Sequence, residues 1–152
     1  MADKKQIKIG TITLLHRLFK ASNLEKFIKE DLKSVNVPRF HDYITSLCAE
    51  RGEVAEHIIN RAGIERTFGH QLFNGTRKPS REKVIQLAIG FGMDTENTQK
   101  LLRIARKNAL YPKLMRDAAI IYCLEHHMTF MEAQDTLHIH GITLLGEARQ
   151  DE

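Results

Sequence analysis

The sequence predicts an all-α protein, on three observations. Apolar residues recur at three- and four-residue spacings along nearly the whole chain, no long alternating run marks a strand, and capping residues stand before the apolar stripes. With 152 residues, 42% of them hydrophobic, the chain can bury one core, or a small domain with a second helical unit docked on it. Its longest uninterrupted apolar run, residues 118–124, is far shorter than the ~18 residues a membrane helix needs. Residues 1–6 have no apolar stretch or small-residue cleavage site behind them, so they do not read as a signal peptide. Cys48 and Cys123 both fall in apolar helical patterns, where cysteine behaves as a small hydrophobe. No disulfide framework is expected, and a reducing cytoplasm is the expected location.

Each element follows from a stripe and its punctuation. Ile7, Ile9, Ile12, Leu14, Leu15, Leu18 and Phe19 suggest one short helix after a basic end. Ser22 and Glu25 have the spacing of a capping box, opening a helix with Leu24, Phe27, Ile28 and Leu32 on one face. Pro38 closes that segment, because the residue before proline is pushed out of the α region. Phe40, Tyr43, Ile44, Leu47 and Cys48 form the next stripe, stopped near Gly52. Val54, Ile58, Ile59 and Ala62 follow, closed by Gly63 in an expected left-handed position. A short helix from Arg66 to Phe73 ends at Asn74-Gly75. Ser80 caps a helix carrying Val84, Ile85, Leu87, Ala88 and Ile89, which Gly90 and Gly92 end. Asp94 caps another, with Leu101, Leu102, Ile104 and Ala105 inside.

Residues 108–112 make the best internal boundary, with Pro112 suited to a first helical position. A helix from about Lys113 to His127 is expected next, with Ala118, Ile121, Tyr122 and Leu124 as its core stripe. Thr129 and Glu132 form a second capping box, and the helix they open ends near His138. The chain therefore divides into a basic helical segment (1–37), a central domain (38–107) and a C-terminal two-helix unit (112–148).

Charge is unevenly spread around a net +4. Residues 1–36 hold eight Lys/Arg against four Asp/Glu, residues 61–83 hold six against two, and residues 118–152 hold one against six. A basic front and middle with an acidic tail fit a polyanion-binding surface. Lys4, Lys5 and Lys8 read mainly as a solubilising end, with an arm along DNA as the second reading.

The most informative stretch runs from Val54 to Leu87. A helix ends at Ala62-Gly63-Ile64, a second short helix begins within about three residues, and residues 74–80 (Asn-Gly-Thr-Arg-Lys-Pro-Ser) lead into an apolar helix. A sharp glycine turn between two short helices sets them at a steep angle, so that the second can protrude into a DNA major groove. Ala62-Gly63-Ile64, Gln71-Leu72, Asn74-Gly75 and residues 77–80 (Arg-Lys-Pro-Ser) resemble the Cro/phage-repressor (Xre-type) helix-turn-helix family over about residues 39–105. The resemblance implies a lambda-repressor-like domain of about five helices, here with N-terminal helices and a C-terminal two-helix extension. It implies a recognition helix, Arg66 to Phe73, that reads bases through Arg66, Thr67, His70 and Gln71. The chemistry of those side chains suits base reading, since Arg pairs with guanine, Gln with adenine, and Thr can touch a thymine methyl. By the same resemblance Asn74, Arg77 and Lys78 lie along the phosphates.

Three positions depart from the family. Ile59 stands where alanine is usual, Phe68 where a polar residue is usual, and Gly69 where a core aliphatic is typical. Phe68 is expected to turn inward in place of that aliphatic, with Gly69 making room. Glu53, Glu56 and Glu65 put negative charge near the phosphate track, which costs affinity.

The implied function is a sequence-specific DNA-binding transcriptional regulator of prokaryotic or phage type, binding double-stranded DNA as a homodimer. Residues 113–145, acidic and apolar, would form the dimer interface or receive a regulatory protein partner. The alternative is a protein–protein adaptor on a helix-turn-helix fold that no longer reads DNA. Cys123, His126, His127, His138 and His140 lie close in sequence, but their spacing matches no common zinc module. Neither cysteine has the context of a catalytic nucleophile, and there is no glycine-rich phosphate loop of nucleotide-binding type. No cofactor, metal or enzymatic activity is expected.

Overall fold

A computed structural model describes residues 10–32 and 37–147. Among them are nine α-helices and no strand, so the protein is all-α. No helix among these residues is long and apolar enough to cross a membrane. The chain forms two compact units, residues 1–38 and 39–152.

In the first unit, α1 (Thr11–Lys20) is followed by α2 (Leu24–Phe27), which runs on into a π-helical turn (Ile28–Leu32). The cap of α2 is Asn23 rather than Ser22: its side-chain oxygen accepts from the N–H groups of Glu25 and Lys26. Both residue types cap well, and spacing alone did not separate neighbours. Among the described residues of this unit, Phe27 is the buried side chain. The expected basic arm, Lys4, Lys5 and Lys8, lies outside the described residues.

The second unit contains α3 (Phe40–Arg51), α4 (Ala55–Arg61), α5 (Arg66–Asn74), α6 (Arg81–Phe91), α7 (Thr95–Ile104), α8 (Met115–Glu125) and α9 (Phe130–Ile139). The most buried helix is α6, with Val84, Ile85, Leu87 and Ala88 fully enclosed. Ser80 caps it, Asp94 caps α7, and Thr129 with Glu132 completes a capping box on α9. Gly90 does not end α6, as its sequence position suggested. It lies inside the helix, where a Cβ would stand 2.6 Å from the Ile58 carbonyl oxygen, so it lets α4 cross α6 closely. The helix stops at Phe91 and Gly92, whose φ is +70°.

Ile120, Cys123 and Leu124 of α8 and Ala133 and Leu137 of α9 join the same core as α3–α7. The predicted α8 stripe was rotated: Leu124 is buried, but Ala118 and Ile121 are half-buried and Tyr122 is exposed. Pro112 precedes the helix rather than opening it, because the chain turns once more before Met115.

Four charged side chains, all largely enclosed, join the start of α6 to the start of α8. The Arg81 guanidinium donates to both Asp117 oxygens, at 3.3 and 3.0 Å, and to the carbonyls of Asn108 and Ala109. Beside it, Arg116 donates to both oxygens of Glu82 and to the carbonyls of Thr143 and Leu144. Removing one partner of a buried pair leaves an uncompensated charge. Asp117→Ala is therefore expected to lower unfolding free energy by about 3–5 kcal/mol in urea titrations.

Ile59 and Gly69 fit each other as a pair. A Cβ on Gly69 would overlap the Ile59 side chain, so the glycine makes room for Ile59 and not for Phe68. Overfilling a packed core typically costs about 1–3 kcal/mol. Gly69→Ala should destabilise by that amount. Combined with Ile59→Ala, the double variant should lose less than the sum of the two single losses, giving a coupling above about 0.5 kcal/mol in a double-mutant cycle.

Candidate nucleic-acid interface

Residues 62–65 turn the chain from α4 into α5, with Gly63 at φ +66°. Two groups hold the turn. Gln86, buried in α6, donates from Nε2 to the Ala62 carbonyl at 3.2 Å. Phe130 of α9 fills the space a Cβ on Gly63 would take. At the far end of α5, the Thr45 hydroxyl donates to the Phe73 carbonyl at 3.2 Å, and Gly75 lies against His41. Leu72 and Phe73 are buried, as is Gly69, so α5 is anchored along one side and at both ends.

The opposite side carries the residues singled out from the sequence. At 100° per residue, Arg66, Thr67, His70, Gln71 and Asn74 fall on one arc of α5. Arg66 and Thr67 are exposed, whereas His70 and Gln71 are half-buried. Several of these side chains are already engaged within the chain. Arg66 Nε lies 2.6 Å from Glu56 Oε1, and Gln71 Oε1 accepts from Arg77 Nε at 3.0 Å. Asn74 Oδ1 accepts from the Thr76 N–H at 2.9 Å and from its hydroxyl at 2.6 Å, closing the turn after the helix. Its amide NH2 is the group still suited to a phosphate oxygen. Lys78 is exposed.

Phe68 is half-buried, packed against the edge of the core, but the space opened by Gly69 is taken by Ile59. The Arg77 guanidinium carbon stands 4.5 Å from its ring centroid, and Lys83 Nζ stands 5.4 Å from it. Lys83 was not among the site residues read from the sequence. The available signal was the unusual aromatic at position 68, which marks where cations gather.

The first N–H groups of α5 are occupied by the chain itself. Glu65 accepts from the N–H of Phe68 at 2.8 Å and of Thr67 at 2.9 Å. Those bonds, Phe68 first, hold its carboxyl below the ordinary carboxylate range. A helix start that would otherwise attract a phosphate thus already holds an anion.

Cys48 and Cys123 are free and buried, and burial is the main cause that pushes both thiols up. That disfavours the thiolate on which nucleophilic or metal chemistry depends. Among the described residues, no group of three or more His, Cys, Asp and Glu side chains is placed to hold a metal ion. Comparisons with protein-family models, curated proteins and solved structures gave no match.

The Glu65 cap has a definite pH signature. A folded-state carboxyl held below its unfolded value adds stability above the unfolded range, and that stability disappears as pH falls through the folded value. Glu65→Gln keeps an acceptor and removes the charge. Its stability deficit against the parent protein should be present at pH 7 and shrink to nothing below the carboxylate range, as read by urea denaturation across pH.

Proposed function

We propose that this chain is a sequence-specific DNA-binding transcriptional regulator of the lambda-repressor-like helix-turn-helix type, inserting α5 into the major groove. The observation that carries this reading is a nine-residue helix set after a glycine turn. It is fixed by Gln86, Phe130, Thr45 and the Ile59–Gly69 fit, and it presents Arg66, Thr67, His70 and Gln71 on one face. Rigid support behind a polar face is what base reading needs, because bidentate contacts tolerate little misplacement. The Glu56–Arg66 pair is exposed, and such pairs are worth at most about 1 kcal/mol, so a guanine edge can replace the carboxylate.

In this reading Arg77 and Lys78, with the Asn74 amide, lie along phosphates. The protein acts as a homodimer whose two recognition helices stand about 34 Å apart. Met115, Met131 and Ile139, all strongly exposed on α8 and α9, support an apolar dimer or regulatory-partner surface.

A second reading, a protein–protein adaptor that has given up DNA, is favoured by a specific observation. Arg66 and Gln71 already have partners within the chain, and Glu56 and Glu65 both stand at the start of α5. The two readings part in a selection from a random duplex pool at about 150 mM salt, with an Arg66→Ala/Gln71→Ala double variant beside the parent. A palindromic motif recovered by the parent and lost in the variant is the expected result. No enrichment by the parent would sink the regulator reading and favour the adaptor.

A further inference from the structure

Of the six cations of residues 61–83, Lys78 is exposed and the other five fall into two classes. Arg61 is paired with Glu53 at 2.8 Å, Arg66 with Glu56, and Arg81 with Asp117 in the interior. Each of these charges is offset by a carboxylate. Arg77 and Lys83 are held differently. Arg77 donates to the neutral amide oxygen of Gln71 and stacks on Phe68; Lys83 donates to the neutral amide oxygen of Gln86 at 3.2 Å and faces the same ring. Among the described residues no carboxylate pairs with either. Two full positive charges are thus gathered over one aromatic ring, positioned by hydrogen bonds and left uncompensated.

Two cations held against one ring, with no carboxylate pairing either among the described residues, raise the positive potential there, and an anion drawn to them lowers it. The ring quadrupole and the two amide oxygens attract the cations without neutralising them, so their positioning precedes anion binding. A planar guanidinium beside a flexible ammonium suits the tetrahedral oxygens of a phosphate. We infer that Arg77 and Lys83, seated on Phe68, form a preformed site for a backbone phosphodiester of duplex DNA. Phe68 is its positioning residue and Lys83 an added phosphate ligand. The inference rests on the DNA-binding reading and adds to it a site of its own. It also gives Phe68, whose half-buried ring packs against the edge of the core, a second role on its outer side.

Two titrations of the full chain test it. In the first, duplex affinity is measured across salt for the parent and for Arg77→Gln, Lys83→Gln and Phe68→Leu. Loss of one phosphate contact lowers the salt slope by about 0.9, which is the expected result for Arg77→Gln and for Lys83→Gln. Phe68→Leu keeps both charges and should weaken binding about two- to fivefold, the loss of a modest cation–π term, with the preferred sequence unchanged. If the parent binds duplex and Lys83→Gln keeps the parental slope and affinity, the site is overturned while the DNA reading stands. The Lys83 amine is not part of the apolar core, so that arm survives even if Phe68→Leu fails to fold.

In the second titration, inorganic pyrophosphate is added while the Arg77 Nε–H resonance is followed by NMR. A shift in the parent that weakens in Lys83→Gln is the expected result. The same shift in a protein that binds no duplex would overturn the DNA assignment and leave a free polyphosphate as the ligand. Absence of any shift at Arg77, with a parental slope in Lys83→Gln, would overturn the site altogether.

Discussion

The arrangement of the second unit depends on the crossed ion pairs between α6 and α8. Arg81 and Glu82 are adjacent in the first turn of α6, and Arg116 and Asp117 are adjacent in the first turn of α8. They pair crosswise, Arg81 with Asp117 and Glu82 with Arg116. A slip of one helix against the other by a single residue would bring like charges together in the interior. The remaining capacity of each group is used as well: Asp117 accepts from the Tyr111 N–H and Glu82 from the Gly146 N–H. Buried charges are tolerable only when satisfied this fully. The pairs therefore draw the 108–111 connection and the 143–146 segment to fixed positions around the two helix starts.

From that junction the restraint passes along α6 to the turn before α5. One turn beyond the ion pairs, Gln86 reaches the carbonyl of Ala62 in the α4–α5 turn. Two other glutamines work as clamps on backbone outside the helices. Gln99 exchanges two 2.8 Å hydrogen bonds with Leu110, and Gln134 bonds Leu145 in the same way. The second clamp fastens the chain after α9, the helix whose Phe130 packs on Gly63. Thus α9 reaches the turn before α5 through packing and not only through sequence order.

The caps and stripes made the helix count legible. Ser80, Asp94 and Thr129 stand where short polar side chains can accept a freed N–H, and Gly63 where a left-handed residue is needed. What stayed illegible depended on contacts between elements. Gly90 looks like a terminator, but its reason is the approach of Ile58 from α4. Gly69 was matched to the wrong neighbour because Ile59, ten residues away, fills its space. The one-face arrangement of Arg66, Thr67, His70, Gln71 and Asn74 followed from helical period alone. Their engagement by Glu56, Arg77 and Thr76 depended on side-chain rotamers, which a sequence does not display. Charge was the most misleading quantity. Arg81 and Glu82 pass for surface residues when charges are summed along the chain, yet both are buried and paired.

That correction changes how affinity and specificity would divide in the proposed complex. Once Arg61, Arg66 and Arg81 are set against their carboxylates, the positive charge beside α5 comes mainly from Arg77, Lys78 and Lys83. Arg77 and Lys83 face Phe68 in the first turn of α5, where Glu56 and Glu65 also stand, and Lys78 follows the helix. The field beside α5 would therefore combine phosphate attraction and carboxylate repulsion at close quarters. It also makes release of Arg66 from Glu56 conditional. An exposed pair costs little to break, but the Glu56 carboxylate left behind faces the DNA. Only a base edge that engages Arg66 through two hydrogen bonds offsets that repulsion, worth roughly 1–3 kcal/mol of discrimination. In the proposed complex, acidic residues beside α5 would thus weaken binding to every sequence, and least where Arg66 finds its base.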